Sequence, residues 1–162
     1  MTQTAKLTAS DGQPGDRFGD SVAISGNIIV VVAFAANSGQ GRAYIFVEPP
    51  NGWTNMTETA QLTASDGQPN DQFGTSVAIS GRTVAVGAPY HSVESNPAQG
   101  ASYVFVQPAG GWTNMTQTAK LTAARKSMAI LASPSPLAAT QSSWGHPTAA
   151  TVEHLQERRM CT

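Results

Sequence analysis

Two pairs of carboxylates and one histidine are the residues of this chain whose types and spacing could do chemistry. Asp11-Gly12-Gln13-Pro14-Gly15-Asp16 and Asp66-Gly67-Gln68-Pro69-Asn70-Asp71 each set two aspartates at the ends of a short, turn-rich loop. Such a pair could hold a hard cation through its oxygens, or divide the work of a general acid and a general base. The plainer role is that each Asp accepts hydrogen bonds from nearby backbone N–H groups and fixes a turn. Recurrence favours the plainer role, because catalytic sites do not usually repeat along a chain. His91 stands in the loop Tyr90-His91-Ser92-Val93-Glu94-Ser95-Asn96, where Tyr90, His91, Glu94 and Asn96 form a possible ligand-contacting group. Without a ligand to contact, a loop histidine of this kind is expected to be solvated.

Other chemistries find little support. No histidine or cysteine cluster has metal-ligand spacing. No Gly-x-Ser-x-Gly elbow and no phosphate-binding glycine loop occurs. Neither a catalytic residue, a metal nor a cofactor is expected. Asn55-Met56-Thr57 and Asn114-Met115-Thr116 fit the N-glycosylation acceptor pattern, which matters only in a host that glycosylates secreted proteins.

Composition narrows the classes further. The net charge of −1 is uneven: residues 1–124 hold five basic against eight acidic side chains, and the remainder is net positive. Neither part has the dense basic patch that a phosphate backbone requires, so nucleic acid is not an expected partner. The single cysteine, Cys161, allows no internal disulfide and leaves the redox compartment unread. The longest apolar run, Ile28 to Ala36, suits a buried strand and falls well short of a membrane span.

The elements that must position these loops are repeated. Phe18-Gly19-Asp20-Ser21-Val22-Ala23-Ile24-Ser25-Gly26 recurs at Phe73–Gly81, and Gly52–Thr57 recurs at Gly111–Thr116. The second spacing is the longer, and its four extra residues fall between Pro89 and Gly100, in the loop that carries His91. Thr4-Ala5-Lys6-Leu7-Thr8-Ala9 recurs at Thr59–Ala64 and at Thr118–Ala123. A period of this length marks a repeat architecture. Within each copy, apolar residues alternate with small or polar ones, which predicts strands over Ser21–Ser25, Asn27–Ala33, Arg42–Glu48 and Thr57–Ala64, with equivalents in the next copy. Ser25-Gly26-Asn27 and Ser80-Gly81-Arg82 read as tight hairpins. Pro49-Pro50-Asn51-Gly52 and Pro108-Ala109-Gly110-Gly111 end the third strand, with Trp53 and Trp112 expected to cap the apolar face.

Four antiparallel strands in so short a repeat cannot bury both faces alone. They must stack against like units, and the radial solution is a β-propeller. The fold expected is therefore all-β, made of four-stranded antiparallel blades of a partial propeller, with an irregular C-terminal tail. Residues 1–55 read as the first repeat, 56–114 as the second, 115–123 as the start of a third, and 124–162 as the tail.

Phe73-Gly74 followed at this spacing by Gly87-Ala88-Pro89 resembles the FG-GAP repeat family, best known from the seven-bladed propeller of integrin alpha chains and similar to many bacterial surface and secreted proteins. The resemblance covers residues 1 to about 123. It marks Phe18, Gly19, Phe73, Gly74, Gly87, Ala88 and Pro89 as structural motif residues. The first copy departs from the motif, with Val32-Ala33-Phe34 where Gly-Ala-Pro aligns. Calcium-binding members use an Asp-x-Asp-x-Asp-Gly loop between the two strands of this hairpin. Neither hairpin here has a carboxylate, so calcium is not carried over.

Residues 124–162 have no strand pattern. Pro134–Pro147 can be encoded by a shifted reading of Ser-Val-Ala-Ile-Ser-Gly-Asp-Thr-Val-Val-Val-Gly-Ala-Pro, which is close to Ser76–Pro89. The expectation is that this tail is an out-of-frame reading of a further blade. Met1–Ala5 matches Met115–Ala119 residue for residue, so the chain is expected to be part of a longer protein, without a signal peptide of its own. The resemblance implies a non-enzymatic binding or adhesion module of a secreted or cell-surface protein, with further blades as partners and a protein or carbohydrate as ligand. The alternatives are the propeller portion of an extracellular enzyme, or a non-functional fragment of a disrupted gene.

Overall fold

The computed structural model describes residues 2–124; the expected out-of-frame tail lies outside the described residues. The described chain is all-β. Its strands are β1 (Leu7–Thr8), β2 (Phe18–Ser25), β3 (Ile28–Ala33), β4 (Arg42–Val47), β5 (Met56–Thr57), β6 (Ala60–Thr63), β7 (Ser76–Ser80), β8 (Thr83–Ala88), β9 (Ala101–Val106), β10 (Met115–Thr116) and β11 (Ala119–Thr122). A single turn at Ala36–Gly39 is wound like a helix, but Asn37 and Ser38 within it have positive φ.

Two antiparallel meanders form the blades. Blade 1 runs β2-β3-β4-β6 and blade 2 runs β7-β8-β9-β11. Each first hairpin closes through two residues, since Ser25 pairs with Ile28 and Ser80 with Thr83. Gly26 and Gly81, at φ 57° and 54°, supply the positive φ that a type II′ turn requires at its first central position.

The fourth strand differs from the sequence expectation. Thr57–Ala64 was expected as one strand, yet it breaks at Glu58-Thr59 into β5 and β6, which join different sheets. β5 pairs in parallel with β1, while β6 pairs antiparallel with β4. The second copy repeats the break: β10 pairs in parallel with β6, and β11 antiparallel with β9. Thr59 holds the bend by donating its N–H to the Ile45 carbonyl (2.7 Å) and accepting the Val47 N–H on its hydroxyl (3.2 Å). Thr118 does the same with Val104 and Val106. A two-residue strand of each copy is thus added to the outer edge of the preceding sheet.

Asparagine and glutamate or glutamine side chains secure that added strand. Asn55 accepts the Lys6 N–H (2.7 Å), and Asn114 accepts the Gln61 N–H (2.8 Å). Glu58 accepts from the Ser10 N–H and hydroxyl, and Gln117 bonds the Ser65 N–H and hydroxyl. The amide oxygens of both glycosylation-pattern asparagines are therefore engaged in holding neighbouring sheets together.

The core lies between the blades. Val30 and Val32 of β3, Ile45 of β4 and Leu62 of β6 meet Phe73, Val84, Val86, Tyr103, Phe105 and Trp112 of blade 2, all buried. Burial of an aliphatic or aromatic side chain of this size contributes about 1.5–3 kcal/mol. Phe73 is the centre of an aromatic triad, with ring centroids 5.5 Å from Tyr103 and 5.9 Å from Phe105, both edge-to-face. Phe18 repeats the triad with Tyr44 (5.5 Å) and Phe46 (6.2 Å) on the other face of blade 1. Trp112 is a buried member of the inter-blade core, and Trp53 packs partly buried against the cluster on the other face of blade 1.

Gly41 brings the blades together. At φ 87° its backbone lies against Phe73, and a Cβ there would collide with the Phe73 carbonyl. The departure of the first copy from Gly-Ala-Pro has a packing reason. Val32, aligned with Gly87, is fully buried toward blade 2, in contact range of where a side chain on Gly74 would begin. Phe34, aligned with Pro89, receives the Arg17 guanidinium over its ring at 5.3 Å.

Candidate functional site

Of the sequence-selected residues, Asp66, Asp71, Tyr90 and His91 lie at one end of blade 2, where the Asp66–Asp71 loop and the β8–β9 loop meet, while Asp11 and Asp16 occupy the equivalent loop of blade 1. Asp71 fixes its own turn by accepting the Gln68 N–H at 2.7 Å, and Asp16 does so with Gln13 at 2.8 Å. The first aspartate of each pair has a different task. Asp11 accepts the Tyr44 hydroxyl and Asp66 the Tyr103 hydroxyl, both at 2.9 Å, which ties each loop to the third strand of its blade.

His91 turns inward and is 4% exposed, so it is not a solvated loop histidine. Its ring stands edge-on to Tyr103, centroids 5.9 Å apart. Nδ1 lies 2.7 Å from the carboxylate of Asp71, itself 5% exposed, and Nε2 lies 2.8 Å from the Lys120 ammonium. An ammonium can only donate, so Nε2 accepts from Lys120 and Nδ1–H donates to Asp71. Lys120 also donates to Asp66 at 2.5 Å, and its ammonium stands 5.9 Å from the centroid of the Tyr103 ring. Two carboxylates, an imidazole, an ammonium and a phenol thus form one network.

The network shifts two of its acids in opposite directions. Burial would raise the Asp66 carboxyl, but the bonds from Lys120 and Tyr103 and the Lys120 charge outweigh it and hold it below the ordinary range. Burial pushes the Tyr103 phenol well up, and its bond to Asp66 and the nearby carboxylate charges push it further.

Blade 1 shows what is specific to this end of blade 2. Asp11 is paired there by Arg42 on β4, and Ala36 occupies the position of His91. In the second copy Ala101 replaces Arg42, while Lys120 replaces Gln61. The cation has moved from the third strand to the fourth, and His91 fills the gap beside it. Lys120 is a functional residue that the sequence analysis did not single out, since no local pattern marks it. Comparing the copies position by position is the signal that would have found it.

An Asp–His pair is the orienting half of a general base. Here the nitrogen that would take a proton already accepts from Lys120, and the ring is buried. The arrangement anchors the base of the inserted loop. Tyr90, 54% exposed, and Glu94 face solvent; Asn96 exchanges backbone hydrogen bonds with Val93 and donates its side-chain amide to Gln99 at 2.9 Å. Beside the anchored loop lies a groove of about 370 Å³, lined by Gln68, Pro69, Asn70, Gln72, Tyr90 and Ser92 with Asp71 at its floor. Of the motif residues, Phe73, Gly74 and Ala88 are buried, Gly87 is half-buried and Pro89 is exposed. Among the described residues no helix is long and apolar enough to cross a membrane.

Stacked four-stranded meanders, joined by a strand added from each copy to the preceding sheet, define a repeat protein of the β-propeller class. The FG-GAP repeat profile matches residues 1–46 and 56–105. The chain belongs to the FG-GAP repeat family. A search of curated proteins found no match.

Proposed function

We propose that this chain is a non-enzymatic binding module, a set of propeller blades from a secreted or cell-surface protein, presenting a ligand groove at the Tyr90 end of blade 2. The observation that carries the reading is the anchored insertion. Blade 1 lacks the four extra residues, and blade 2 holds the start of its longer loop rigidly through His91, leaving Tyr90 exposed over a groove walled by amides. Variable loops on a rigid scaffold are where binding function concentrates. An exposed aromatic ring beside Gln68, Asn70 and Gln72 suits the apolar face and hydroxyl rim of a sugar, so a carbohydrate is favoured over a protein ligand. The reading needs no cofactor and assigns no catalytic step.

Screening the full chain against a glycan array tests this. Binding that is lost in Tyr90→Ala, with the thermal unfolding midpoint unchanged, supports the groove. Absence of binding to any glycan, or binding insensitive to Tyr90→Ala and Asn70→Ala, refutes it.

A further inference from the structure

Among the described residues, several positions that build the interface between the two blades recur, exposed, on the outward face of each blade. On blade 2 the face toward blade 1 includes Val77 and Ile79, packed into the inter-blade core. The same positions on blade 1 are Val22 and Ile24, and they are 56% and 66% exposed. On blade 1 the face toward blade 2 includes Ile45 and Leu62, both fully buried. The same positions on blade 2 are Val104, half-buried, and Leu121, 57% exposed; Val106 beside them is 42% exposed. Small residues on the innermost strands follow suit: Ser21, Ala23 and Ser25 are half-buried against blade 2, whereas Ser76, Ala78 and Ser80 are exposed.

We infer that the chain self-associates head to tail, the outward face of blade 2 of one copy docking on the outward face of blade 1 of the next. The occupant is a second copy because the joint would continue the interface already formed within the chain, face for face and position for position. Such a contact is heterologous, and it closes into a ring when the rotation per blade divides the circle. Propellers typically have four to eight blades, so rings of about two to four chains satisfy it.

The outer edge can be made without a new kind of contact. Among the described residues β1 pairs only with β5, and β11 only with β9. Thr4–Ala9 and Thr118–Ala123 are the same six residues. β11 of an arriving copy can therefore replace β1 against β5, keeping the register and the Asn55 cap. Within the paired strands and the residue after them, the exchange loses the Ser10 hydroxyl bond to Glu58, since Ala124 follows in place of Ser10. Thr83, Ala85, Gly87 and Ser102 stand on the open face of blade 2 where blade 1 has Ile28, Val30, Val32 and Ala43. That face is more polar and less bulky, so association should depend on concentration.

Light scattering on the full chain across a concentration series tests the inference, together with two variants, Ile24→Glu on the head face and Leu121→Glu on the tail face. Both positions are exposed, and matching circular dichroism and unfolding midpoints establish that the variants fold. The wild type should rise with concentration to at least twice the single-chain mass. Each variant alone should lose that rise, whereas the two mixed should form a one-to-one complex through their intact faces and grow no larger. A wild type that stays monomeric throughout overturns the inference, whether residues 125–162 or nothing at all covers the open face. A mixture that fails to associate overturns it equally.

Discussion

At the scale of single residues, His91 and Gly41 carry the sharpest consequences. His91→Ala would leave the buried Asp71 carboxylate with only the Gln68 N–H and the Lys120 ammonium with only Asp66 as hydrogen-bond partner. A hydrogen bond to a charged group is worth about 1.5–3 kcal/mol, so a loss of about 2 kcal/mol is expected in urea unfolding, against no measurable change for Tyr90→Ala. Gly41→Ala should be worse. Its φ of 87° disfavours any side chain, and the new Cβ would collide with the Phe73 backbone. Gly15, at φ 93° with open space around it, separates the two effects. Gly15→Ala should cost only the backbone term of about 1–2 kcal/mol, and Gly41→Ala several kcal/mol or loss of folding, as read from thermal midpoints. Gly41 belongs to no motif in the sequence reading, since nothing local distinguishes a glycine pressed against a neighbouring blade from one in an ordinary turn.

At the scale of elements, the short parallel strands decide how the sheets are joined. Asn114→Ala removes the acceptor of the Gln61 N–H and should destabilise by about 1 kcal/mol in chemical unfolding. Faster amide exchange at Gln61 and its β6 neighbours should accompany that loss. Hairpins and strand periods were legible beforehand, because Val77, Ile79, Val84 and Val86 alternate and Gly81 sits between them. The break at Glu58-Thr59 was not. Thr57–Ala64 alternates well enough to read as one strand, and only the Thr59 bonds to β4 show where it must bend. The two-carboxylate loops were read correctly as turn-builders for Asp16 and Asp71. The tyrosine bonds of Asp11 and Asp66 join each loop to a strand far along the chain, beyond any local pattern.

At the scale of the whole molecule, stability should fall at both ends of the pH range. Asp66 and Glu58 hold their protons less tightly folded than unfolded: burial alone would raise each, and their hydrogen bonds outweigh it. The stability they add is present above the unfolded carboxylate value of about 4 and is lost as pH falls through the lower folded values. Tyr44 and Tyr103 hold theirs more tightly, raised chiefly by burial. Stability from them is intact below about pH 10 and declines as pH rises beyond it. Unfolding midpoints measured across pH should therefore form a plateau with both shoulders, and Tyr103→Phe should flatten the alkaline one.

The central claim is that the two repeats fold as stacked blades sharing one core, with Phe73 at its centre. Amide hydrogen exchange on Phe73→Ala, compared with the wild type, tests this most directly. The account predicts protection lost together in β8 and β9 of blade 2 and in β3 and β4 of blade 1, whose Val30, Val32 and Ile45 share that core. Protection lost from blade 2 alone, with Ile28–Ala33 and Arg42–Val47 exchanging as in the wild type, would contradict it.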